Sequence, residues 1–188
     1  MNKTCRLCGS SADFFHQNTQ KYYRCSECDA IFTAQEDLVD QDAEKERYEL
    51  HDTEIDEGYK KFVYPITSNI LTDFLSTAKG LDFGSGRSEI ISKVLLESGY
   101  EMQNFDPFFA NKPELLTQQY DYISSCEVIE HFYEPKKEFL LLKSMLSEGA
   151  KLYLMTELYN DSIDFETIAK KFGLTLERCE KRLIIFSN

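Results

Sequence analysis

Four cysteines near the N-terminus are spaced as metal ligands. Cys5 and Cys8 form one CxxC motif, Cys25 and Cys28 form a second, and sixteen residues separate the two pairs. A CxxC turn brings two thiolates to one ion at about 2.3 Å, and two such turns complete a closed tetrahedral site. The spacing therefore predicts a structural zinc site within residues 1–34, with no open position for catalysis.

The remaining thiols and one histidine leave alternatives around this site. Two disulfides are disfavoured in a reducing compartment, and a redox CxxC motif needs no second copy. His16 lies between the cysteine pairs and could replace one ligand, but with four cysteines in register we expect it at the surface. Cys179 stands alone and is predicted to be a small buried hydrophobic residue.

A glycine-rich turn marks a second candidate site. The segment LDFGSGRS, residues 81–88, is typical of a strand that runs into a turn and then a helix, with Gly84, Ser85 and Gly86 in the turn. Asp82 lies at the strand end, and Asp106 follows the next strand. An acid at that second position can accept hydrogen bonds from both ribose hydroxyls of a nucleoside cofactor.

Each of these features also has a simpler interpretation. The glycines could form only a tight turn, and Asp106, followed by Pro107, could only initiate one. A dinucleotide-binding loop has a third glycine at the position that Glu89 occupies here, so NAD is disfavoured as the cofactor.

The segment EVIEH, residues 127–131, follows a later strand and carries three groups suited to acid–base or metal chemistry. We expect Glu130 and His131 to act as catalytic residues. Glu127, Glu130 and His131 could instead bind one divalent ion such as Mg²⁺, which would lower the pKa of a bound hydroxyl. In the simpler alternative, Glu127 lines the cofactor pocket, Glu130 caps a helix and His131 packs or acts without a metal. Cys126 either borders the cofactor or belongs to the core.

Alternating strand and helix patterns position these motifs. A helix is predicted over residues 65–78, followed by strands at 80–83, 100–105, 121–126 and 151–158 with helices between them, and then a helix and two strands. This order predicts an α/β fold with a doubly wound, mostly parallel Rossmann-like sheet, helices on both faces and a C-terminal antiparallel strand. We assign residues 1–34 to a zinc ribbon, 35–64 to an acidic helical linker or lid, and 65–188 to the α/β domain.

The chain resembles the class I S-adenosylmethionine-dependent methyltransferase superfamily over roughly residues 60–188. The resemblance lies in LDFGSG, FDPFF, DYISSCEVIEH and GAKLYLMTEL, and the N-terminal CRLCGS and YYRCSECDAIF resemble a zinc-ribbon subgroup of these enzymes. It implies that Gly84 and Gly86 pack against the methionyl part of the cofactor, that Asp82 orients its amino group, and that Asp106 holds its ribose. The ExxEH segment is similar to the magnesium site of some O-methyltransferases.

Two departures from the family pattern affect the expected site. Only fourteen residues separate Asp106 from Asp121, so the usual third strand should be shortened or absent. The insertion that closes the acceptor pocket in related enzymes is also missing after the fifth strand. In these enzymes the segment before the domain closes over the active site, so Tyr48, His51, Tyr59 or Tyr64 either contacts the cofactor or only anchors an exposed acidic helix.

Composition limits the partners. The net charge is −12, and residues 35–64 hold eleven acids against four bases, so a phosphate backbone is a disfavoured partner. No apolar run is long enough to span a membrane, and the start of the chain lacks a signal peptide, so we expect a cytoplasmic protein.

The leading hypothesis is a methyltransferase acting at oxygen on a small-molecule or carrier-bound acceptor. The sequence is compatible with an oligomer. The alternative is a non-catalytic module that binds S-adenosylmethionine or docks a partner.

Overall fold

Two β-sheets organise the part of the chain that the computed structural model describes, residues 3–39, 45–46, 56–159 and 163–188. The smaller sheet is antiparallel and has the strand order β1-β2-β3-β4. Its strands are β1 (Lys3–Thr4), β2 (Ser11–Gln17), β3 (Lys21–Cys25) and β4 (Ile31–Thr33). The predicted zinc-ribbon hairpins are therefore present, with the cysteine pairs in the turns before β2 and after β3.

The larger sheet has six strands in the order β6-β5-β7-β8-β10-β9. Its first four strands are parallel, and β10 and β9 are antiparallel to their neighbours. The strands are β5 (Gly80–Phe83), β6 (Met102–Phe105), β7 (Tyr120–Cys126), β8 (Leu146–Met155), β9 (Thr175–Glu180) and β10 (Leu183–Ser187). The predicted parallel-dominated sheet is confirmed, with a C-terminal hairpin that inserts β10 beside β8.

Four α-helices cover the two faces of this sheet. They are α1 (Glu57–Asp73), α2 (Ile90–Leu96), α3 (Pro135–Met145) and α4 (Phe165–Lys171). Alternate residues of β10 show the layering, because Leu183 and Ile185 pack with α1 and α2 whereas Ile184 and Phe186 pack with α3 and α4. No described helix is long and apolar enough to cross a membrane.

Helix α1 begins earlier than the sequence pattern predicts. We expected it from Pro65, but Asp56 caps its N-terminus by accepting a hydrogen bond from the backbone N–H of Tyr59 (2.7 Å), and Pro65 lies inside the helix. Residues 57–64, assigned to the acidic helical linker or lid, are therefore continuous with the helix expected from Pro65, and Val63 is fully buried. Tyr48 and His51 lie outside the described residues.

Two further predictions meet different outcomes. The segment between β6 and β7 contains a 3₁₀ turn, Pro113–Thr117, and no strand, as the short spacing predicts. The expectation of a buried Cys179 is wrong, since this thiol is exposed. Strand β9 is the edge of the sheet and most of its side chains face solvent, so burial there is not available.

The small sheet packs against loops that follow β7 and β8. The Phe15 ring meets the Tyr159 ring edge to face (5.6 Å), and the Tyr133 hydroxyl donates a hydrogen bond to the carbonyl of Val39. One hydrophobic cluster runs from the cysteine region to Phe132 and Phe139 of the larger unit. Because loops after parallel strands lie at the carboxyl edge of the sheet, the ribbon sits at that edge.

Candidate functional site

The four N-terminal cysteines converge on one point. Their sulfur atoms all lie within 4.8 Å of one another, with Cys5 and Cys28 3.7 Å apart and Cys8 and Cys25 3.4 Å apart. A tetrahedral zinc site with bonds of about 2.3 Å places its sulfurs about 3.8 Å apart. The donor set and its dimensions therefore fit zinc, as the spacing predicts.

The two cysteine turns are built alike. Gly9 and Asp29 each directly follow the second cysteine of a pair, and both have left-handed backbones (φ 82° and 60°). The Arg24 guanidinium holds Asp29 through two hydrogen bonds of 2.5 and 2.7 Å. This geometry curls each turn so that both of its sulfurs point inward.

The close approach of the thiols to one another shifts their pKa values. The hydrogen bond from Cys28 lowers the pKa of Cys5 to about 5, whereas donation to Cys5 and burial raise the pKa of Cys28. Four adjacent thiolates need a cation to remain charged together. His16 is exposed on β2, stacks on Tyr22 and lies outside the cluster, as expected.

The glycine-rich turn follows β5 as predicted, and its two glycines differ in their surroundings. Gly84 (φ 80°) packs so closely on Val128 that an added Cβ would lie 2.4 Å from a methyl carbon. Gly86 (φ 60°) has no atom of the described residues within 4 Å of such a Cβ. Gly84 is therefore required by packing, whereas the turn is open to a ligand at Gly86.

Asp106 ties this turn to the end of β6. Its Oδ2 accepts a hydrogen bond from the N–H of Gly86 (2.9 Å), and its Oδ1 accepts from the N–H groups of Phe108 (2.9 Å) and Phe109 (3.0 Å). The backbone of Phe105 accepts from the N–H groups of Gly84 and Ser85. Asp106 is thus both the turn-forming residue of the simpler interpretation and a carboxylate at the edge of the cavity.

Asp82 is buried beneath the turn. The hydroxyl of Ser124 donates to its Oδ1 (2.7 Å), and the side chain is 2% exposed. Burial raises the pKa of Asp82 to about 7, because its charged form loses hydration and faces Asp106, although the Ser124 hydrogen bond opposes this. The neutral form of Asp82 is therefore favoured more than that of an exposed aspartate.

A cavity of about 730 Å³ opens at this edge of the sheet, a size suited to a small-molecule ligand. Among the described residues, four carboxylates, eight phenylalanine or tyrosine rings and a single guanidinium, that of Arg87, border it. The walls therefore favour a cationic ligand with an aromatic group. The predicted residues that border the cavity are Asp82, Gly84, Ser85, Gly86, Asp106, Cys126, Glu127 and His131.

Glu127 turns the chain after β7. Its backbone is left-handed (φ 54°), its N–H donates to the carbonyl of Met155 (2.7 Å), and its Oε1 is buried without a hydrogen-bond partner among the described residues. Arg182 approaches that oxygen only to 3.9 Å. Burial, and then the charge of Glu130, raise the pKa of Glu127. The Ser85 hydroxyl, also at the cavity, is buried and similarly unpartnered.

Glu130 and His131 lie on the next turn, the 3₁₀ segment Ile129–His131. Both side chains are exposed, and His131 borders the cavity whereas Glu130 does not. Glu127, Glu130 and His131 do not form a set of converging ligand atoms, since the four cysteines are the only such group in the described part of the chain. The arrangement places one imidazole at the cavity, and a metal ion held by these three residues stays a prediction.

Several residues at the cavity are poorly marked in the sequence. The Tyr59 hydroxyl, from the predicted lid segment, lies 3.2 Å from the Ser88 hydroxyl, and Phe62 of the same helix borders the cavity, whereas Tyr64 is exposed. The Arg182 guanidinium lies over the Phe62 ring (5.7 Å). A helix predicted to begin at residue 57 would have placed Tyr59 and Phe62 on one face, near the cavity. Nothing in the local sequence indicates that Arg182 approaches Glu127.

Comparison with known proteins agrees with this geometry. The model of a family described as methyltransferase domain matches residues 55–178. No curated protein sequence matches the chain. A TehB-like SAM-dependent methyltransferase from Corynebacterium glutamicum has a similar fold, with a TM-score of 0.53, 16% identity and coverage of 79% of this chain and 99% of that one.

A structure described as the conversion of a disulfide bond into a thioacetal group during echinomycin biosynthesis is similar as well, with a TM-score of 0.51, 14% identity and coverage of 66% and 81%. The chain spans 56% of the length of an O-methyltransferase family protein from Burkholderia thailandensis, which covers 68% of this chain at 10% identity and a TM-score of 0.47. By the family match and its fold, the chain belongs to the methyltransferase domain family, with the class I S-adenosylmethionine-dependent methyltransferase architecture and a four-cysteine ribbon at its N-terminus.

Proposed function

We propose that the chain transfers a methyl group from S-adenosylmethionine to the oxygen of a small-molecule or carrier-bound acceptor. The observation that carries this proposal is an acidic cavity that is bordered by the open turn at Gly86 and by Glu127, whose Oε1 is a buried acceptor without a hydrogen-bond partner among the described residues. A buried oxygen without a donor costs about 1–3 kcal/mol, so a ligand with N–H groups and positive charge is favoured there. S-adenosylmethionine carries an ammonium and a sulfonium group.

Different residues around the turn would contact different parts of the cofactor. Gly84, Ser85 and Gly86 would lie along its methionyl part, with Cys126 and Glu127 closing the same side and Asp82 supporting the turn from below. This placement leaves Asp106 for the ribose, since its carboxylate stands at the rim of the cavity and is 7% exposed.

The turn after β7 would carry the groups that activate the methyl acceptor. The cofactor supplies an electrophilic methyl group, and the protein must align the acceptor and help remove its proton. His131 borders the cavity and is suited to take that proton, and Glu130 stands beside it in sequence. Mg²⁺ at Glu127, Glu130 and His131 would require these side chains to converge, so dependence of turnover on added magnesium tests that part.

The ribbon would hold a structural Zn²⁺ through Cys5, Cys8, Cys25 and Cys28. All four ligand positions would be taken by protein, so this ion would have no open position for an acceptor. Its contribution would be to the fold of residues 3–33.

One observation favours a second function, a binding module without catalysis. Only residues 156–164 separate β8 from α4, which is too short a connection for the insertion that closes the acceptor pocket in related enzymes. A protein that senses S-adenosylmethionine or docks a partner would retain the cofactor pocket and lack turnover.

Calorimetry with S-adenosylhomocysteine tests the cofactor site. We expect binding by the intact protein and about tenfold weaker binding by Asp106→Asn, which loses an acceptor oxygen. Asp121→Asn is the matched control, because the Asp121 carboxylate also accepts a backbone N–H, that of Lys79 (2.7 Å), away from the cavity. Folded protein that binds neither S-adenosylmethionine nor S-adenosylhomocysteine at millimolar concentration would overturn the proposal.

Turnover separates the two functions. Conversion of S-adenosylmethionine to S-adenosylhomocysteine would be followed with a panel of small hydroxyl-bearing acceptors, for the intact protein and for His131→Ala. An enzyme loses about 10²–10⁴-fold in rate without its base. Equal, background-level product from both proteins, with cofactor binding retained, would favour the binding module.

A further inference from the structure

Arg6 connects the cysteine cluster with the turn that carries the candidate catalytic residues. It lies between Cys5 and Cys8, and its Nη2 donates a hydrogen bond to the backbone carbonyl of Phe132 (2.9 Å). Its Nε and Nη1 are buried and have no hydrogen-bond partner within the described ranges. The guanidinium is thus enclosed between the two units instead of lying in solvent.

The residue that accepts this hydrogen bond, Phe132, stabilises the turn at the site. Phe132 directly follows His131, and its N–H closes the 3₁₀ turn on the carbonyl of Ile129 (3.3 Å). Its ring is 4% exposed and packs edge to face on Phe83 (6.2 Å) and Phe139 (5.7 Å). Ring and carbonyl together fix where the turn ends, and the ring is one wall of the cavity.

The other end of the connection is the first cysteine turn. The N–H of Gly9 donates to the carbonyl of Cys5 (2.9 Å), so residues 5–9 form one tight loop around the sulfur cluster. An ion held by Cys5 and Cys8 fixes the backbone on both sides of Arg6. Burial lowers the pKa of the Arg6 guanidinium, and the negative charge of Glu138 opposes this shift.

We propose that Arg6 is a positioning residue through which the folded zinc site holds the turn bearing Glu130 and His131. The proposal rests on the proposed function only where it treats that turn as catalytic, because the coupling itself needs no cofactor. The ribbon would then act as more than an added stabilising unit, since loss of its metal would loosen one wall of the cavity.

Hydrogen–deuterium exchange measured by mass spectrometry tests the coupling in the full-length protein. The reporting amides are those of His131, bonded to the carbonyl of Val128 (2.9 Å), and of Phe132. In Arg6→Met we expect these amides to exchange about tenfold faster, the effect of losing one charged hydrogen bond. Arg6→Lys keeps a donor and a charge, so it should recover part of the protection.

Lys21→Met is the control, because Lys21 is also a ribbon cation but is exposed at the start of β3, where it pairs with Gln17. It should leave the exchange of residues 127–133 unchanged. Removing zinc from the unsubstituted protein with a chelator should accelerate the same amides, and should add little in Arg6→Met. Amides of β7, such as that of Ile123, report whether the large sheet stays folded.

The proposal is overturned if zinc removal leaves the turn protected, or if Lys21→Met and Arg6→Met accelerate its exchange equally. If Arg6→Met does not fold, Arg6→Lys and zinc removal from the unsubstituted protein decide the question by the same amides. S-adenosylhomocysteine calorimetry on the same samples reports separately on the proposed function. Absence of binding there would leave the exchange result standing.

Discussion

Asp82 is held in a state that costs the fold stability. It is 2% exposed, and burial raises its pKa from 3.8 to about 7. Below about pH 4 the carboxyl is protonated in both the folded and unfolded chains and has no effect. As the pH rises towards 7 the unfolded chain loses this proton first, so the folded state is progressively disfavoured, by about 4 kcal/mol once the pH exceeds 7.

Asp82→Asn removes this cost. The amide oxygen can still accept the hydrogen bond of Ser124 (2.7 Å in the native protein), so the packing is preserved. We expect the variant to be more stable than the native protein at about pH 8, and the difference to widen by about 3 kcal/mol between about pH 5 and pH 8. Urea unfolding at both pH values measures it, and comparison at equal pH cancels any change in zinc binding.

The same substitution should weaken binding of S-adenosylmethionine about tenfold at pH 8, because a negative charge beneath a cationic ligand is lost. Asp121→Asn serves again as the control, and it should alter neither quantity in this way. A variant that is less stable than the native protein at pH 8, or a difference that does not change with pH, would refute the reasoning. Residues at binding sites commonly reduce stability in this manner.

Three other substitutions separate packing, ligand binding and metal binding. Gly84→Ala places a Cβ 2.4 Å from a Val128 methyl at φ 80°, so unfolding should show a loss of about 2–4 kcal/mol, partly restored by Val128→Ala. The Cβ of Gly86→Ala meets no atom of the described residues, so the substitution should cost only about 1 kcal/mol at φ 60°, yet reduce S-adenosylhomocysteine affinity more than tenfold in calorimetry. Cys28→Ser should lower the zinc content found by elemental analysis well below one ion per chain.

Local sequence signals were enough for the parts of the molecule that local geometry controls. The CxxC spacing predicts the sulfur cluster because each turn needs only five residues, and the glycine turn is recognisable because it joins a buried strand to a helix. The shortened segment after Asp106 likewise predicts the missing third strand. Cys179 was misplaced because exposure depends on which strand forms the sheet edge, and the sequence pattern of β9 does not reveal that.

Contacts between distant segments could not be predicted. Arg182 reaches Glu127 only because β10 inserts beside β8, and Arg6 reaches Phe132 only because the ribbon packs at the carboxyl edge of the sheet. The magnesium hypothesis stays a prediction, since Glu127, Glu130 and His131 are neighbours in sequence but do not form a group of converging ligand atoms in the described part of the chain. Spacing along the chain predicts a shared site reliably only where a tight turn fixes the directions of the side chains.

The two interpretations of Asp106 are compatible, but they compete for the same oxygen atoms. A carboxylate offers about four acceptor positions, and the N–H groups of Gly86, Phe108 and Phe109 occupy three. One ribose hydroxyl can therefore bind without any change in the protein. Binding both hydroxyls requires the turn at Phe108 and Phe109 to release an N–H group, so a cofactor gripped in that way would have to reshape the rim of its own cavity.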